Sequence, residues 1–141
     1  MKIRELLRQE QTSLSFEVFP PKKDTDFANV ETATLGIAKL QPSYMSVTYG
    51  AGGSTKGITI QLASEIQQKY NVPAISHLTC VCASKENIKA ALNEMKSAGI
   101  ENILALRGDI PANADFPLPD QYCPTSQYSQ QPVVPYYAGT L

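Results

Sequence analysis

Five residues that could do chemistry stand at or just beyond the ends of short apolar segments. They are Glu17, Thr48, His77, Arg107 and Asp109. A carboxyl group can hold and release a proton, an imidazole can bind a ligand, and an Arg/Asp pair can meet charge of either sign. If the segments are parallel strands, their carboxyl ends meet at one edge of a sheet, where α/β proteins bind ligands. The sequence therefore predicts a single polar site at that edge.

The elements that must position these residues alternate between strand and helix patterns. Strands are predicted over 13–19, 44–48, 73–79 and 102–106, and helices over the opening residues, 26–40, 54–70 and from Ser84 to Gly99. The strands recur about every thirty residues, which is the length of a βαβ unit. This alternation predicts an α/β fold with a parallel sheet.

Alternation of side chains along each strand predicts which residues share a face. The predicted faces are Ser15 with Glu17, Ser46 with Thr48, Ile75 with His77 and Thr79, and Ile103 with Ala105, Arg107 and Asp109. Each of these faces carries a polar group towards its carboxyl end. Convergence of five such groups is harder to attribute to chance than one buried polar residue.

A glycine-rich loop, residues 48–55, follows the second strand. Glycines allow a sharp turn and close approach of backbone to a ligand, and the next helix terminus favours anions. Lys56 lacks the preceding Gly and following Ser or Thr of a phosphate-binding loop, and Thr55 stands where a dinucleotide fingerprint needs Gly. The loop is a weak signal by itself.

Composition excludes several classes. Twelve basic and thirteen acidic residues give a formal net charge of −1, without a basic stripe, so we expect no nucleic-acid or membrane partner. No segment approaches the roughly 20 apolar residues of a membrane span. Three cysteines make a poor disulfide framework and have no zinc-like ligand pattern, which favours a cytoplasmic protein without a metal.

The character of the chain changes near Pro111. Residues 112–141 contain no Lys or Arg and are rich in proline, which predicts an irregular tail. The predicted organisation is an α/β domain over 1–111 and this tail over 112–141.

Four motifs together resemble the methylenetetrahydrofolate reductase family, in the family's order, from Met1 to about Pro111. They are SFEVFPP at 15–21, SVTYGAGGS at 46–54, HLT at 77–79 and LALRGD at 104–109. The resemblance implies a (β/α)8 TIM-type barrel that binds FAD and takes a hydride from NADH or NADPH. It implies reduction of 5,10-methylenetetrahydrofolate to 5-methyltetrahydrofolate, in support of methionine synthesis.

The resemblance also implies residue roles. Glu17 matches the general acid that helps to open the methylene bridge, and Asp109 matches the carboxylate between folate and flavin, so both contact substrate. The implied flavin contacts are Thr48, which also reaches the nicotinamide, Tyr49, His77, Arg107, Gly108 and Asp109. A carboxyl that loses contact with water holds its proton to higher pH, as such an acid requires.

The sequence departs from the family after Asp109, because four further βα units are missing. A barrel of this kind typically needs about 250 residues, so we expect about four units, a half-barrel with two open edges. A truncated or frameshifted gene product is the favoured explanation, ahead of an alternative transcript or a half that assembles with a partner. Members of the family oligomerise, and this chain is expected to need a partner to close the barrel. Alone, it is expected to bind FAD weakly or not at all.

Simpler interpretations stay open. Glu17 could be a structural ion-pair partner of Arg107, and His77 could be a satisfied core residue. The Arg107–Asp109 tripeptide matches an adhesion motif, and Cys80 and Cys82 are best explained as small apolar fillers. The alternative function is a non-catalytic remnant or interaction module of the same lineage; another pterin-binding barrel, such as a pteroate synthase, is a weaker alternative.

Overall fold

The computed structural model describes residues 1–9, 11–21, 27–49, 55–81 and 83–108. Asp109, the predicted tail and most of the glycine-rich loop lie outside these ranges. The elements along the chain are α1 (Ile3–Leu6), β1 (Ser15–Val18), α2 (Phe27–Ala38), β2 (Tyr44–Val47), α3 (Lys56–Tyr70), β3 (Ala74–Thr79), α4 (Lys85–Ser97) and β4 (Asn102–Leu106). The predicted strands and helices are thus confirmed: β4 has the predicted bounds, and the bounds of the other elements differ by one to a few residues.

The four strands form one parallel sheet in the order β1-β2-β3-β4. Glu17 pairs with Ser46, Ser46 with Ile75, and Ile75 with Asn102, so that these residues make one row across the sheet. The strand order follows the chain without a reversal. Three βα units and the fourth strand of a (β/α)8 barrel have this arrangement, which confirms the predicted fold class.

The hydrophobic core lies between one face of the sheet and the three long helices. Its fully buried side chains include Met45 and Val47 from β2, Leu62 and Ile66 from α3, and Met95 from α4. Burial of each such side chain stabilises the fold by roughly 1.5–3 kcal/mol before chain entropy is subtracted. The residues of this face alternate with those of the opposite face, which carries the polar groups.

Helix ends follow local chemistry. The Ser84 hydroxyl caps α4 by accepting a hydrogen bond from the Asn87 amide at 3.2 Å, as the sequence predicts. Gly99, with a φ of +76°, turns the chain after α4, again as predicted. Asn71 performs the same turn after α3 in the left-handed conformation, with a φ of 54°. Short polar side chains tolerate that conformation better than other non-glycine residues.

The short helix α1 is tied to the other end of the described chain. Ile3 is buried, and its amide donates to Asn102 Oδ1 at 2.9 Å. Asn102 Nδ2 donates to the carbonyls of Met1 at 3.2 Å and Ala74 at 3.3 Å. One amide side chain therefore joins α1, β3 and β4 at the amino-terminal edge of the sheet. Among the described residues, no helix has the length and apolar character needed to cross a membrane.

Candidate active site at the carboxyl edge of the sheet

Glu17 and His77 meet on the face of the sheet that the long helices leave uncovered. Glu17 Oε1 lies 3.6 Å from His77 Nε2. The two residues belong to β1 and β3, so the contact spans the intervening strand β2. Ser46 is the β2 residue paired with Glu17, and its short side chain leaves room for the contact. The sequence predicts both residues at this edge, and the structure brings them together.

The two partners differ in exposure. The side chain of His77 is 9% exposed and that of Glu17 is 47% exposed. Burial lowers the pKa of His77 from its usual value of 6.5, while the negative charge of Glu17 acts in the opposite direction. Burial is the larger effect, so the imidazole is neutral at neutral pH.

A cavity of about 750 Å³ extends along this face from the Glu17–His77 contact. Its floor includes Ser46, Ile75 and Leu104 from three neighbouring strands. At the amino-terminal edge, Arg4 and Leu7 line the wall, in and next to α1. The size is within the range of small-molecule and cofactor pockets, and mostly apolar walls with a few polar groups are typical of them.

Thr48 and Tyr49 follow β2: backbone hydrogen bonds fix Thr48, whereas Tyr49 packs against the core. The Thr48 amide donates to the Val18 carbonyl at 2.9 Å, and the Thr48 carbonyl accepts from Thr59 Oγ1 at 2.9 Å. Tyr49 is half-buried and packs against the hydrophobic core, where burial raises the pKa of its phenol. Tyr49 is not among the residues that line the cavity.

Arg107 and Gly108 stand just beyond β4, where the β3–β4 ladder continues. The Cys80 amide donates to the Leu106 carbonyl at 2.8 Å, and the Val81 amide donates to the Arg107 carbonyl at 2.7 Å. The Arg107 side chain is exposed, and its Nε donates to the Gly108 carbonyl at 3.2 Å. Gly108 has a φ of +83°. The backbone therefore turns at Gly108, the residue after Arg107.

The register of β4 corrects one part of the predicted face. His77 pairs with Leu104, and Ser76 pairs with Ile103. Residues that pair across a sheet point to the same side, so Leu104 shares the face of His77, while Ile103 packs against the core. Simple alternation would send Arg107 to the helix side with Ile103. Because β4 ends at Leu106 and Gly108 turns the backbone, alternation does not determine the direction of Arg107.

The described residues bear on the predicted roles of Glu17 and the cysteines. Within them, the carboxylate of Glu17 contacts the neutral imidazole of His77, and no ion pair joins Glu17 to Arg107. Asp109, predicted as a substrate and flavin contact, lies outside the described residues, as does Cys82. Cys80 is half-buried against the core, and burial raises the pKa of its thiol. In the part of the chain that the structure describes, no group of three or more His, Cys, Asp or Glu residues is arranged to hold a metal ion.

The sequence indicates no role for Thr59 or Thr79, two residues that support the site, although alternation places Thr79 on the face of His77. Thr59 on α3 is fully buried, and its hydroxyl donates to the carbonyls of Thr48 or Thr55, each at 2.9 Å. Thr79 is buried beside Gly108. Helical spacing places Thr59 on the buried side of α3, but its bond to Thr48 depends on a loop conformation that periodicity does not predict.

Fold and site together define a class of protein: an α/β domain of consecutive parallel βα units with polar groups gathered at the carboxyl edge of its strands. A family model described as methylenetetrahydrofolate reductase matches residues 2–128. The chain belongs to the methylenetetrahydrofolate reductase family. The match extends past Pro111, the limit of the resemblance seen from the motifs.

Three similar proteins carry the name of the same family. The chain is 40% identical over 114 residues to methylenetetrahydrofolate reductase (NADH) 1 of Arabidopsis thaliana, a match that covers 81% of this chain and 19% of the relative. It is 43% identical over 102 residues to methylenetetrahydrofolate reductase 2 of Schizosaccharomyces pombe, covering 72% and 16%. It is 31% identical over 109 residues to 5,10-methylenetetrahydrofolate reductase of Escherichia coli, covering 77% and 37%. The chain thus spans well under half the length of each of these relatives.

Proposed function

We propose that this chain supplies the acid-bearing βα units of an FAD-dependent methylenetetrahydrofolate reductase. The reaction converts 5,10-methylenetetrahydrofolate to 5-methyltetrahydrofolate with NADH or NADPH as reductant, in the cytoplasm and in support of methionine synthesis. The observation that carries the proposal is the Glu17–His77 contact at the carboxyl edge of the sheet, in a chain that belongs to this family.

Glu17 has the chemistry of a general acid for this reaction. Opening the five-membered ring of the substrate to an iminium requires a proton at the departing nitrogen, and a carboxyl group can deliver it. Glu17 lies on the open face of the sheet with half of its side chain exposed, where a ligand in the cavity can reach it. Asp109 is proposed to face the developing cation, as the family motif implies.

The described residues fit a flavin cofactor. The exposed guanidinium of Arg107 suits phosphate groups, and Tyr49 and Gly108 are proposed to contact the flavin, as the family motif implies. Thr48 and His77 add polar contacts at the same edge, and Thr48 is proposed to reach the nicotinamide as well. When bound, FAD supplies the hydride; the protein orients the folate beside it and provides the proton.

Completion of the site requires further strands. Within the described residues β1 and β4 each pair with one neighbour, so both edges are available for pairing. Further βα units paired to these two edges would close the barrel and cover the cavity. By itself the chain is expected to bind FAD weakly or not at all, and flavin absorbance of the purified 141-residue chain measures this. A purified chain that carries stoichiometric FAD would contradict that expectation.

A chimera tests the function itself. The matching 109-residue segment of the Escherichia coli relative is replaced by the corresponding residues of this chain, and folate-dependent oxidation of NADH is followed. We expect activity in the chimera and a loss of at least about a hundredfold on Glu17→Gln, as is usual when a general acid is removed. Glu86→Gln, at an exposed position in the first turn of α4, is the control. A folded chimera that binds FAD and ignores Glu17→Gln would overturn the proposal.

The alternative, a non-catalytic interaction module, is favoured by the same open edges. Sedimentation of the purified chain separates the two ideas. Two results together support the interaction module: the purified chain associates without binding FAD, and the chimera is inactive.

A further inference from the structure

We propose that His77 is a positioning residue for Glu17: its Nε2 holds one carboxylate oxygen of Glu17 over Ser46 and leaves the other oxygen for the ligand. The inference deepens the proposed function and rests on it, because the positioned group is the proposed acid. It assigns His77 a role towards Glu17 in addition to the flavin contact that the family motif implies.

The register of the sheet explains why the two residues meet. Ser46 lies directly beside Glu17, and Ile75 lies beside Ser46 in the next strand. His77 is two residues further along β3 on the same face. Neighbouring strands are about 4.8 Å apart, so β1 and β3 are separated by roughly twice that distance. Two long side chains can meet across such a gap only when the residue between them is small, and Ser46 meets that condition.

The difference in burial shows which residue holds the other. His77 is fixed by its surroundings, since its side chain is 9% exposed, whereas Glu17 is 47% exposed. A half-exposed glutamate has several rotamers of similar energy, and holding it in one costs entropy. A contact with a buried ring offsets that cost. The ring therefore selects among orientations of the carboxylate, and the carboxylate does not select among orientations of the ring.

Other charged groups around the cavity lie further along it. Lys2, Arg4 and Arg8 enter from the segment around α1, and Glu101 precedes β4. Among the described residues, Glu17 is the charged group that acts on the pKa of His77. A neutral imidazole with its proton on Nε2 presents an N–H dipole to Glu17 Oε1 across 3.6 Å, so an electrostatic attraction between the two groups already acts without a ligand.

His77 is the one histidine of the sequence, which makes the first test direct. The imidazole ring signals of the 141-residue chain, purified with a tag free of histidine, are followed by NMR as the pH is changed. Glu17→Gln removes the negative charge and keeps the shape, so the midpoint of the His77 titration should fall. Glu86→Gln should leave it unchanged. An unchanged midpoint in Glu17→Gln, or an equal change in both variants, would overturn the proposal.

The second test observes the positioned group. Three-bond couplings of the Glu17 side chain report whether it occupies one rotamer. We expect one dominant rotamer in the wild type and in His77→Gln, whose amide can still donate, and averaging in His77→Leu. Backbone amide shifts verify that each variant is folded. Equal averaging of Glu17 in all three proteins would contradict positioning. Both measurements use the ligand-free chain, so they can succeed or fail independently of FAD binding and of the activity of the chimera.

Discussion

The methyl group of Thr79 fills the space that a side chain at residue 108 would need. A Cβ built on Gly108 would collide with Thr79 Cγ2 and would stand 3.0 Å from Val81 Cγ1. The φ of Gly108 is +83°, a conformation that L side chains rarely adopt. Glycine at this position is thus required twice, by the turn itself and by the close packing of the segments that follow β3 and β4.

Gly108→Ala should destabilise the protein. The strained backbone alone costs on the order of 1–3 kcal/mol, and the collision with a buried threonine adds to it. Gly36→Ala is the matched control, because Gly36 is an exposed residue of α2 and a Cβ added there would have nothing within 4 Å. There, alanine should stabilise the helix by roughly 0.5 kcal/mol. Urea unfolding of both variants measures the difference, and equal midpoints would show that the Thr79 contact is not rigid.

Thr59→Val should weaken the attachment of the loop after β2. Valine keeps the shape and removes the hydroxyl that donates to the carbonyl of Thr48 or of Thr55, so we expect the free energy of unfolding to fall by about 1–2 kcal/mol. Thr32→Val is the control, since the exposed Thr32 hydroxyl bonds the Ala28 carbonyl within α2 and its removal should cost under about 0.5 kcal/mol. Urea unfolding gives both values. A similar loss in the two variants would indicate that burial of the Thr59 bond adds nothing.

Asn102→Ala should release α1 from the sheet. Three hydrogen bonds are lost, and we expect destabilisation of about 1–3 kcal/mol. Hydrogen exchange of the Ile3 amide should accelerate, because that amide loses its acceptor. Asn93→Ala, at an exposed position of α4, should change neither quantity appreciably. Unaltered exchange at Ile3 in Asn102→Ala would show that packing alone holds α1 in place.

Acidification should weaken the fold through His77. Burial lowers its pKa in the folded state below the usual 6.5, so between those two values the unfolded chain binds more protons. The free energy of unfolding therefore has its full His77 contribution above about pH 6.5 and loses it as the pH falls towards the folded pKa. His77→Gln should flatten this part of the profile, and Glu17→Gln should deepen the loss. Urea unfolding from about pH 7.5 to about pH 5.5 measures all three slopes; parallel slopes in wild type and His77→Gln would contradict the assignment.

Much of the fold follows from the sequence alone. The apolar segments ending near Val18, Val47, Thr79 and Leu106 are short and regularly spaced, which determines a parallel βα arrangement. The hydroxyl of Ser84 suits a helix cap, and the backbone freedom of Gly99 suits the turn after a helix. Both residues have these roles at the ends of α4. These features depend on neighbouring residues along the chain, so they can be predicted from one sequence.

The site is less accessible to sequence reasoning, because it depends on register and on turns. Alternation places Glu17 and His77 on unspecified faces of separate strands, and only the register shows that they meet across Ser46. Within β4, only the register shows that Leu104 rather than Ala105 shares the face of His77. Beyond Leu106, where Gly108 has a positive φ, alternation no longer predicts side-chain direction. The bond from Thr59 to Thr48 joins a helix to a loop and has no periodic signature.

The attachment of α1 has a consequence for the order in which the molecule is assembled. Residues 1 to 3 are synthesised about a hundred residues before Asn102, whose side chain receives them. Contacts between such distant positions form late, since the intervening chain must first be ordered. On the ribosome, α1 therefore emerges without its docking partner and must wait until β4 has joined the sheet.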